Sequence, residues 1–283
     1  MKKIPPPAPG IYPNTSMDVY KSWQAVNHSA LKRLSQSPQH AQAALDGSED
    51  DEDSTPDKDF GTACHIFTLE RESFPDRVAF KPKLVGEGRN KAYAKFDEEN
   101  AGKLILSEDR KADVLGVYNS IRANSECRKL AMNKGDTEVC LVWVDKATGL
   151  TCKGRIDRLY QQFGLFLDLK TTPNACAEEF ARSVVKWGYH SQFAYYVDGL
   201  ATLGLGGMSG RLLVVEKTPP YGSAIYRLSD EFMRIGRLQV RQWLGEAKRC
   251  VDAGQWPGYG ECVHELHPPK WLEQSWANFE EAE

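Results

Sequence analysis

The spacing of hydrophobic residues changes several times along the chain, and each change marks a predicted helix or strand. Between residues 27 and 45 the apolar positions have helical spacing, but Ser37-Pro38 interrupts them, so we predict two short helices. The segment 60–70, FGTACHIFTLE, is apolar around most of its circumference and predicts a largely buried helix. Residues 71–106 lack a clear period and predict irregular structure, whereas a further helix is predicted over 107–121.

Runs rich in β-branched and aromatic residues follow in the second half of the chain, with turn signals between them. They predict strands at 138–145, 150–160, 164–171, 211–217 and 223–228. Helical patterns cover 175–205 and a long segment from Ser229 to about residue 253. This mixed order predicts an α/β fold in which helices flank a central mixed β-sheet.

The chain has 283 residues, of which 41% are hydrophobic, so it is long enough to bury a substantial core. Its first 16 residues are rich in proline and predict an extended N-terminal arm, and we expect residues 17–283 to form a single domain. The run 46–59, DGSEDDEDSTPDKD, contains eight acidic residues and one lysine, which predicts a solvated, disordered loop. This run has a net charge of −7, whereas the whole chain has a net charge of −3, so the remainder of the chain carries +4. A mildly basic remainder is compatible with a nucleic-acid partner.

Neither the amino terminus nor the cysteines indicate an extracellular protein. The first residues, MKKIPPPAPG, have prolines where a secretory signal has an apolar run, and no segment approaches the roughly 20 apolar residues that span a bilayer. The seven cysteines form no C-x-x-C pair, so neither a disulfide framework nor a four-cysteine cluster is indicated. We therefore expect a soluble, cytoplasmic protein with reduced thiols.

The stretch KGRIDRLYQQFGLFLDLKTT predicts a β-hairpin that carries two carboxylates and a lysine. A turn centred between Gln162 and Phe163 places Asp157 opposite Asp168, with their Cβ atoms about 5 Å apart. Two such like charges would leave one carboxyl group protonated, whereas a divalent cation between them lets both ionise. Lys170 lies on the same face as Asp168 and can donate to a water molecule or a phosphoryl oxygen.

Two interpretations of this hairpin stay open on its residues alone. In the first, Arg155, Arg158 and the lysine neutralise the two aspartates on a salt-bridged surface hairpin. In the second, the acids bind a metal, and His65 on the buried helix contributes to the same site. Gln192 and Tyr196 share one face of a predicted helix at i, i+4 spacing and can join it. A lone histidine or such a polar pair is, however, also common as a hydrogen-bonded core feature.

Several short motifs, in this order, resemble those of the PD-(D/E)xK nucleases of the RecB-like branch. The motifs are GTACH (61–65), Glu138, GRID (154–157), LDLKTT (167–172) and QxxxY (192–196). The nearest likeness is to the C-terminal nuclease domain of exodeoxyribonuclease VIII, of the RecE type, and it covers most of residues 28–272. The resemblance implies a restriction-endonuclease-like core, in which the acidic loop has no counterpart.

The resemblance also implies roles for individual residues. Asp157 and Asp168 would be catalytic residues that bind Mg²⁺, for which Mn²⁺ can substitute, and Lys170 would orient or activate the attacking water. The further metal ligands that it implies are His65, the carbonyl of Leu169 and, for a second metal, Glu138. Gln192 and Tyr196 would position the DNA strand. The cations proposed to contact DNA phosphates are Arg155 and Arg158, with Lys153, Arg182 and Lys186 as further candidates.

The implied activity is the hydrolysis of linear double-stranded DNA from 5′ to 3′, which leaves a 3′ single strand for recombination by strand annealing. The implied partners are double-stranded DNA ends, a single-strand annealing protein of prophage recombination and further copies of the chain in a tetrameric ring. Two alternatives are a Cas4- or AddB-like nuclease of different polarity and a non-catalytic DNA-end-binding protein on the same fold. The cysteine spacing disfavours the iron–sulfur cluster of the former, and the Asp157, Asp168 and Lys170 set disfavours the latter.

Overall fold

The computed structural model describes residues 3–47 and 55–273. Within these residues, six strands form a central sheet and two strands form a separate small one. The strands are β1 (Gly10–Tyr12), β2 (Val78–Lys81), β3 (Leu104–Ser107), β4 (Asp136–Val144), β5 (Thr151–Tyr160), β6 (Leu165–Thr172), β7 (Ser209–Glu216) and β8 (Ser223–Tyr226). The central order is β1-β4-β5-β6-β7-β8, with β6 and β7 parallel and the other neighbours antiparallel. The predicted mixed sheet is confirmed.

Helices flank this sheet, as the pattern predicts. They are α1 (Met17–Ser22), α2 (His28–Arg33), α3 (Pro38–Asp46), α4 (Pro56–Leu69), α5 (Phe74–Arg77), α6 (Arg89–Glu99), α7 (Arg110–Ala123), α8 (Ser125–Met132), α9 (Ala177–Trp187), α10 (Tyr189–Thr202) and α11 (Asp230–Ala253). Single 3₁₀ turns lie at Arg71–Ser73 and Gln161–Phe163. No helix in the described ranges is long and apolar enough to cross a lipid bilayer.

The two faces of the sheet are covered by separate hydrophobic cores. On β6, Phe166 belongs to the first core and the neighbouring Leu167 to the second, as expected when successive side chains point to opposite faces. The helices that contribute to the first core include α2, α3, α10 and α11, through Leu31, Ala41, Phe193 and Leu244. The second core includes Phe60 of α4 and Val117 of α7. The sheet is therefore the middle layer of three.

The prediction of irregular structure over 71–106 is wrong. Strands β2 and β3 pair in parallel, and α6 connects them. Each strand has only four residues, and α6 has no fully buried residue, so neither produces a hydrophobic period that the sequence can display.

The predicted acidic loop extends too far at both ends. Asp46 ends α3, and Pro56 to Asp59 form the first turn of α4, which Thr55 caps by accepting the N–H of Lys58. Acidic side chains in this turn are favoured because the amino end of a helix is electropositive. Residues 48–54 lie outside the described residues, so their disorder stays a prediction.

Candidate active site

Three acidic residues occupy one row across three neighbouring strands. Val139 pairs with Ile156 between β4 and β5, and Arg158 pairs with Leu167 between β5 and β6, as the predicted hairpin register requires. Continuing both registers by one residue places Glu138 opposite Asp157 and Asp157 opposite Asp168. Neither pair belongs to the ladder: the pairing of β4 with β5 is interrupted at this one position, and the pairing of β5 with β6 ends at Arg158 and Leu167.

The alternation of side chains shifts by one residue at Asp157. Ile156 and Leu159 both belong to the first core although they are three positions apart, a spacing that simple alternation places on opposite faces. On β4, Glu138 has a positive φ of 52°, an uncommon conformation for a side chain with a Cβ. The shift turns the Asp157 carboxylate toward β6, where its Oδ2 accepts the backbone N–H of Leu169 at 2.8 Å. Simple alternation along the sequence does not predict this distortion.

His65, on α4, stands above this row. Its Nε2 lies 3.2 Å from Oδ2 of Asp157, and its Nδ1 lies 3.4 Å from Oε1 of Glu138 and 4.0 Å from Oε1 of Glu70. Burial alone would lower the pKa of the His65 imidazole, but the carboxylates, Asp157 foremost, raise it to about 9. The imidazole therefore sits in a strongly negative environment.

Sequence reasoning missed Glu70. It follows the last helical residue of α4, where φ of −133° and ψ of 42° depart from helical geometry. With this non-helical conformation its carboxylate lies 4.0 Å from Nδ1 of His65, whereas helical spacing groups Glu70 with Ala63 and Phe67 instead. Arg77 donates to both carboxylate oxygens of Glu70 at 2.9 Å, which fixes the carboxylate in place. The only available signal in the sequence is the position of Glu70 at the end of the GTACHIFTLE motif.

Lys170 and Asp168 form a close ion pair. Nζ of Lys170 lies 2.8 Å from Oδ1 and 2.5 Å from Oδ2 of Asp168, and 5.0 Å from the centre of the Tyr189 ring. Burial disfavours the charged form of Lys170, but the Asp168 carboxylate outweighs it and raises the pKa of the ammonium group. Burial also raises the pKa of Asp168, whereas at Asp157 the nearby His65 overcomes burial and lowers the carboxyl pKa. The lysine is therefore a stable, positioned cation.

The residues present fit a divalent cation. Nε2 of His65 and Oδ2 of Asp168 are buried, and each has an ion-pair contact, with Oδ2 of Asp157 at 3.2 Å and with Nζ of Lys170 at 2.5 Å, but no well-aligned hydrogen bond. Ligand atoms of His65, Glu70 and Glu138 lie within 4.8 Å of one another. Carboxylate oxygens and imidazole nitrogen are the donors that Mg²⁺, Mn²⁺ and similar ions use. The backbone N–H of Leu169 donates to Asp157, so Leu169 lies beside these groups. That its carbonyl binds the metal stays a prediction.

Helix α10 contributes the predicted polar pair. Nε2 of Gln192 donates to Oη of Tyr196 at 3.0 Å, and burial followed by the charge of Asp168 raises the pKa of the Tyr196 hydroxyl. The ring can lie this close to β5 because residue 154 is glycine: a Cβ there would meet Cε1 of Tyr196 at 2.9 Å. The Gly154 of the GRID motif therefore positions α10 over the acidic row.

The structure does not support either arginine as a free substrate contact. The Arg158 prediction is wrong: its side chain is buried, and its guanidinium donates to the carbonyls of Leu69, Ala131 and Asn133. Arg155 is an ion-pair partner of Glu138, and only 11% of its side chain is exposed. Proximity to the motif in the sequence could not distinguish a buried arginine that donates to backbone carbonyls from an exposed arginine that is free to bind DNA.

Lys153 is likewise unavailable to DNA. It is buried, and its Nζ donates to the carbonyls of Tyr20 and Trp23 at 2.8 and 2.7 Å. Arg182 and Lys186 lie on α9, where Arg182 pairs with acidic residues of the same helix.

Comparisons with known proteins agree with this geometry. Residues 27–267 match the model of a family described as a PDDEXK-like domain of unknown function (DUF3799). A crystal structure of a "putative exonuclease" from Eubacterium rectale shares the fold, with a TM-score of 0.59 and 14% sequence identity over 93% of this chain and 96% of that chain. No curated protein matches the sequence. At 14% identity the structural likeness shows the fold alone.

Proposed function

The chain belongs to this family of PDDEXK-like domains, and from that premise we propose that it is a metal-dependent exodeoxyribonuclease acting on linear double-stranded DNA. The observation that carries the proposal is the row of Glu138, Asp157 and Asp168, with His65 on one side and Lys170 in contact with Asp168. The buried atoms His65 Nε2 and Asp168 Oδ2 have ion-pair contacts but no well-aligned hydrogen bond, and as a nitrogen and a carboxylate oxygen donor they support the proposal of a metal at this site.

Asp157, Asp168 and His65 would bind the metal, for which we propose Mg²⁺ with Mn²⁺ as a substitute. Such an ion supplies a Lewis acid for the phosphoryl group and lowers the pKa of water. The carboxylates would be ionised and His65 neutral in the loaded site, since only these forms donate an electron pair to a cation. Glu138 and Glu70 lie on the far side of His65 and are the candidates for a second ion.

Lys170 is the proposed donor to the scissile phosphate or to the attacking water. Its raised pKa keeps the ammonium group charged at neutral pH, so it can stabilise the negative charge that develops on the phosphoryl oxygens. It cannot be the general base in this state, because an ammonium group has no lone pair. Gln192 and Tyr196, one turn apart on α10, would orient the DNA strand against this group.

The 5′ to 3′ polarity, the 3′ single-stranded product and the role in recombination rest on the resemblance to the RecE type. The single-strand annealing partner, the tetrameric ring and the cytoplasmic location rest on the same ground or on the sequence, and stay predictions. The cysteine spacing in the sequence, which contains no C-x-x-C pair, still disfavours the iron–sulfur alternative.

The test is digestion of linear duplexes labelled at the 5′ or the 3′ end, with a closed circular duplex as control, in Mg²⁺ and in EDTA. We expect degradation of linear DNA only, early release of the 5′ label and no activity in EDTA. Release of the 3′ label first would contradict the polarity alone. Binding to DNA ends without any hydrolysis would replace the nuclease by the non-catalytic alternative.

A further inference from the structure

A half-exposed tryptophan lies at the corner that joins α9 to α10, beside the proposed active site. Trp187 is the last residue of α9, and 54% of its surface is exposed. Gly188 then adopts a left-handed conformation, with φ of 74°, and α10 begins at Tyr189. Since the Tyr189 ring lies 5.0 Å from Nζ of Lys170, the indole is only two residues from a side chain that contacts the site.

Two lysines from different helices flank this indole. Nζ of Lys186 lies 5.1 Å from the ring centre, and Nζ of Lys32, at the end of α2, lies 6.0 Å from it. Lys32 also donates to the carbonyl of Lys186 at 3.1 Å, which ties the two helix ends together. In the described part of the chain, the ammonium groups of both lysines approach the indole and the backbone, and they form no ion pair with a carboxylate.

Trp187, Lys32 and Lys186 form a surface patch, and the surroundings of Lys32 in this patch disfavour its charged form. Burial, followed by the adjacent Arg33, lowers the pKa of the Lys32 ammonium group. A phosphate placed beside Lys32 would oppose this shift in pKa, because an opposite charge favours the protonated form of the ammonium group. A neutral or cationic partner would not. The patch is therefore complementary to an anion that also presents a flat apolar surface.

We infer that Trp187, Lys32 and Lys186 form a binding site for one nucleotide of the DNA strand that enters or leaves the active site. A base would stack on the exposed indole while the two ammonium groups bind the flanking phosphates, the combination by which proteins bind single strands without reading sequence. The site rests on the proposed nuclease function and extends it, since it gives the separated strand a fixed path next to Lys170. Trp187 is a positioning residue in this account, because it does not touch the reacting phosphate.

The test compares the wild type with Trp187→Ala and Trp187→Phe in the binding of a fluorescein-labelled oligothymidylate, measured by anisotropy in EDTA. We expect Trp187→Ala to bind about tenfold more weakly or worse, as for the removal of one base–aromatic stack, and Trp187→Phe to stay close to the wild type. Phe163→Ala is the matched control: it removes another exposed aromatic ring, at the hairpin turn, and should leave binding unchanged. In duplex hydrolysis, Trp187→Ala should raise KM and leave kcat nearly unchanged.

A second variant tests the two cations independently of the indole. Each lysine that neutralises one phosphate of a single strand contributes about 0.7 to the slope of log K against log salt, so Lys32→Gln combined with Lys186→Gln should flatten that slope by about 1.4. Thermal unfolding of each variant verifies that it is folded.

The outcomes separate the two proposals. A wild type that hydrolyses and binds DNA, together with a Trp187→Ala variant that binds equally well and an unchanged salt slope, would overturn this inference and leave the nuclease intact. Equal weakening by Phe163→Ala would also overturn it. A wild type that neither binds nor hydrolyses DNA would refute the nuclease proposal itself.

Discussion

Asp168 and Lys170 form an ion pair within a single strand, β6, and 6% and 22% of their side chains are exposed. Every other acid of the row has a partner outside the hairpin or on another strand, His65 for Asp157 and Arg155 for Glu138. In the proposed mechanism Lys170 is the phosphate donor, and Asp168 both holds that donor by its ion pair and is a proposed metal ligand. Removal of each should affect a different kinetic parameter or binding event.

Lys170→Gln should lower kcat for duplex hydrolysis by about 10²- to 10³-fold with little change in KM. The reason is that a charged donor aimed at developing charge stabilises the transition state more than the bound substrate. Lys248→Gln, which removes a surface lysine of α11, is the control and should retain activity. A raised KM with an unchanged kcat would argue that Lys170 binds DNA and does not assist chemistry.

Arg158→Met should destabilise the protein by about 3 kcal/mol in urea unfolding, because the buried carbonyls of Leu69 and Ala131 would be left without their donors. Arg182→Met is the matched control: Arg182 forms only surface pairs with α9 acids, so we expect a change within about 0.5 kcal/mol. Unchanged stability of Arg158→Met with a raised KM would instead restore the role in substrate binding that the sequence suggested.

At the scale of elements, the hairpin of β5 and β6 illustrates what a sequence pattern can and cannot predict. Its register follows from the turn and the alternation, so the row of Asp157 and Asp168 could be predicted from the sequence alone. The shift at Asp157 could not, because it depends on the positive φ of Glu138 and on His65 from a distant helix. Glu70 could not be predicted for a similar reason, because its backbone leaves helical geometry at the end of α4 and its side chain no longer follows the helical spacing.

Helix α10 can approach β5 closely because residue 154 is glycine and has no side chain. Gly154→Ala should destabilise the protein by about 1 to 3 kcal/mol and lower kcat, because the added Cβ must displace the Tyr196 ring and with it the hydrogen bond from Gln192. Gly206→Ala is the control, since no atom lies within 4 Å of the added Cβ, and its stability should stay close to that of the wild type. Circular dichroism melts and steady-state rates measure both effects. A neutral Gly154→Ala would show that α10 does not pack where we place it.

At the scale of the whole molecule, the first core depends on a buried neutral histidine. Nε2 of His28, on α2, lies 2.9 Å from Oγ of Ser191 on α10, and the His28 ring packs beside Trp243 of α11. Burial, followed by the nearby positive groups, lowers the pKa of His28 from 6.5 to about 3. Three helices are thus joined around a group that resists protonation.

The free energy of unfolding should therefore fall as the pH drops. Because the folded pKa lies below the unfolded one, only the unfolded chain takes up the proton between pH 6.5 and about 3. The stabilisation is complete above pH 6.5, and the wild type should lose about 2 kcal/mol more than His28→Phe between pH 7 and pH 5. Urea unfolding at both pH values measures this difference. Identical pH dependence in the two proteins would mean that His28 is protonated in the folded state.

The two cores enclose a sheet that opens where β5 separates from β6, and the site lies in this opening. The central claim is that Asp157, Asp168 and His65 bind a divalent cation there. The most direct measurement is a titration of Mn²⁺ followed by electron paramagnetic resonance, in the wild type, in Asp157→Asn combined with Asp168→Asn, and in Glu178→Gln combined with Glu179→Gln as a surface control. We predict saturable Mn²⁺ binding by the wild type and the control and its loss in the aspartate variant. Equal binding by all three proteins would contradict the account.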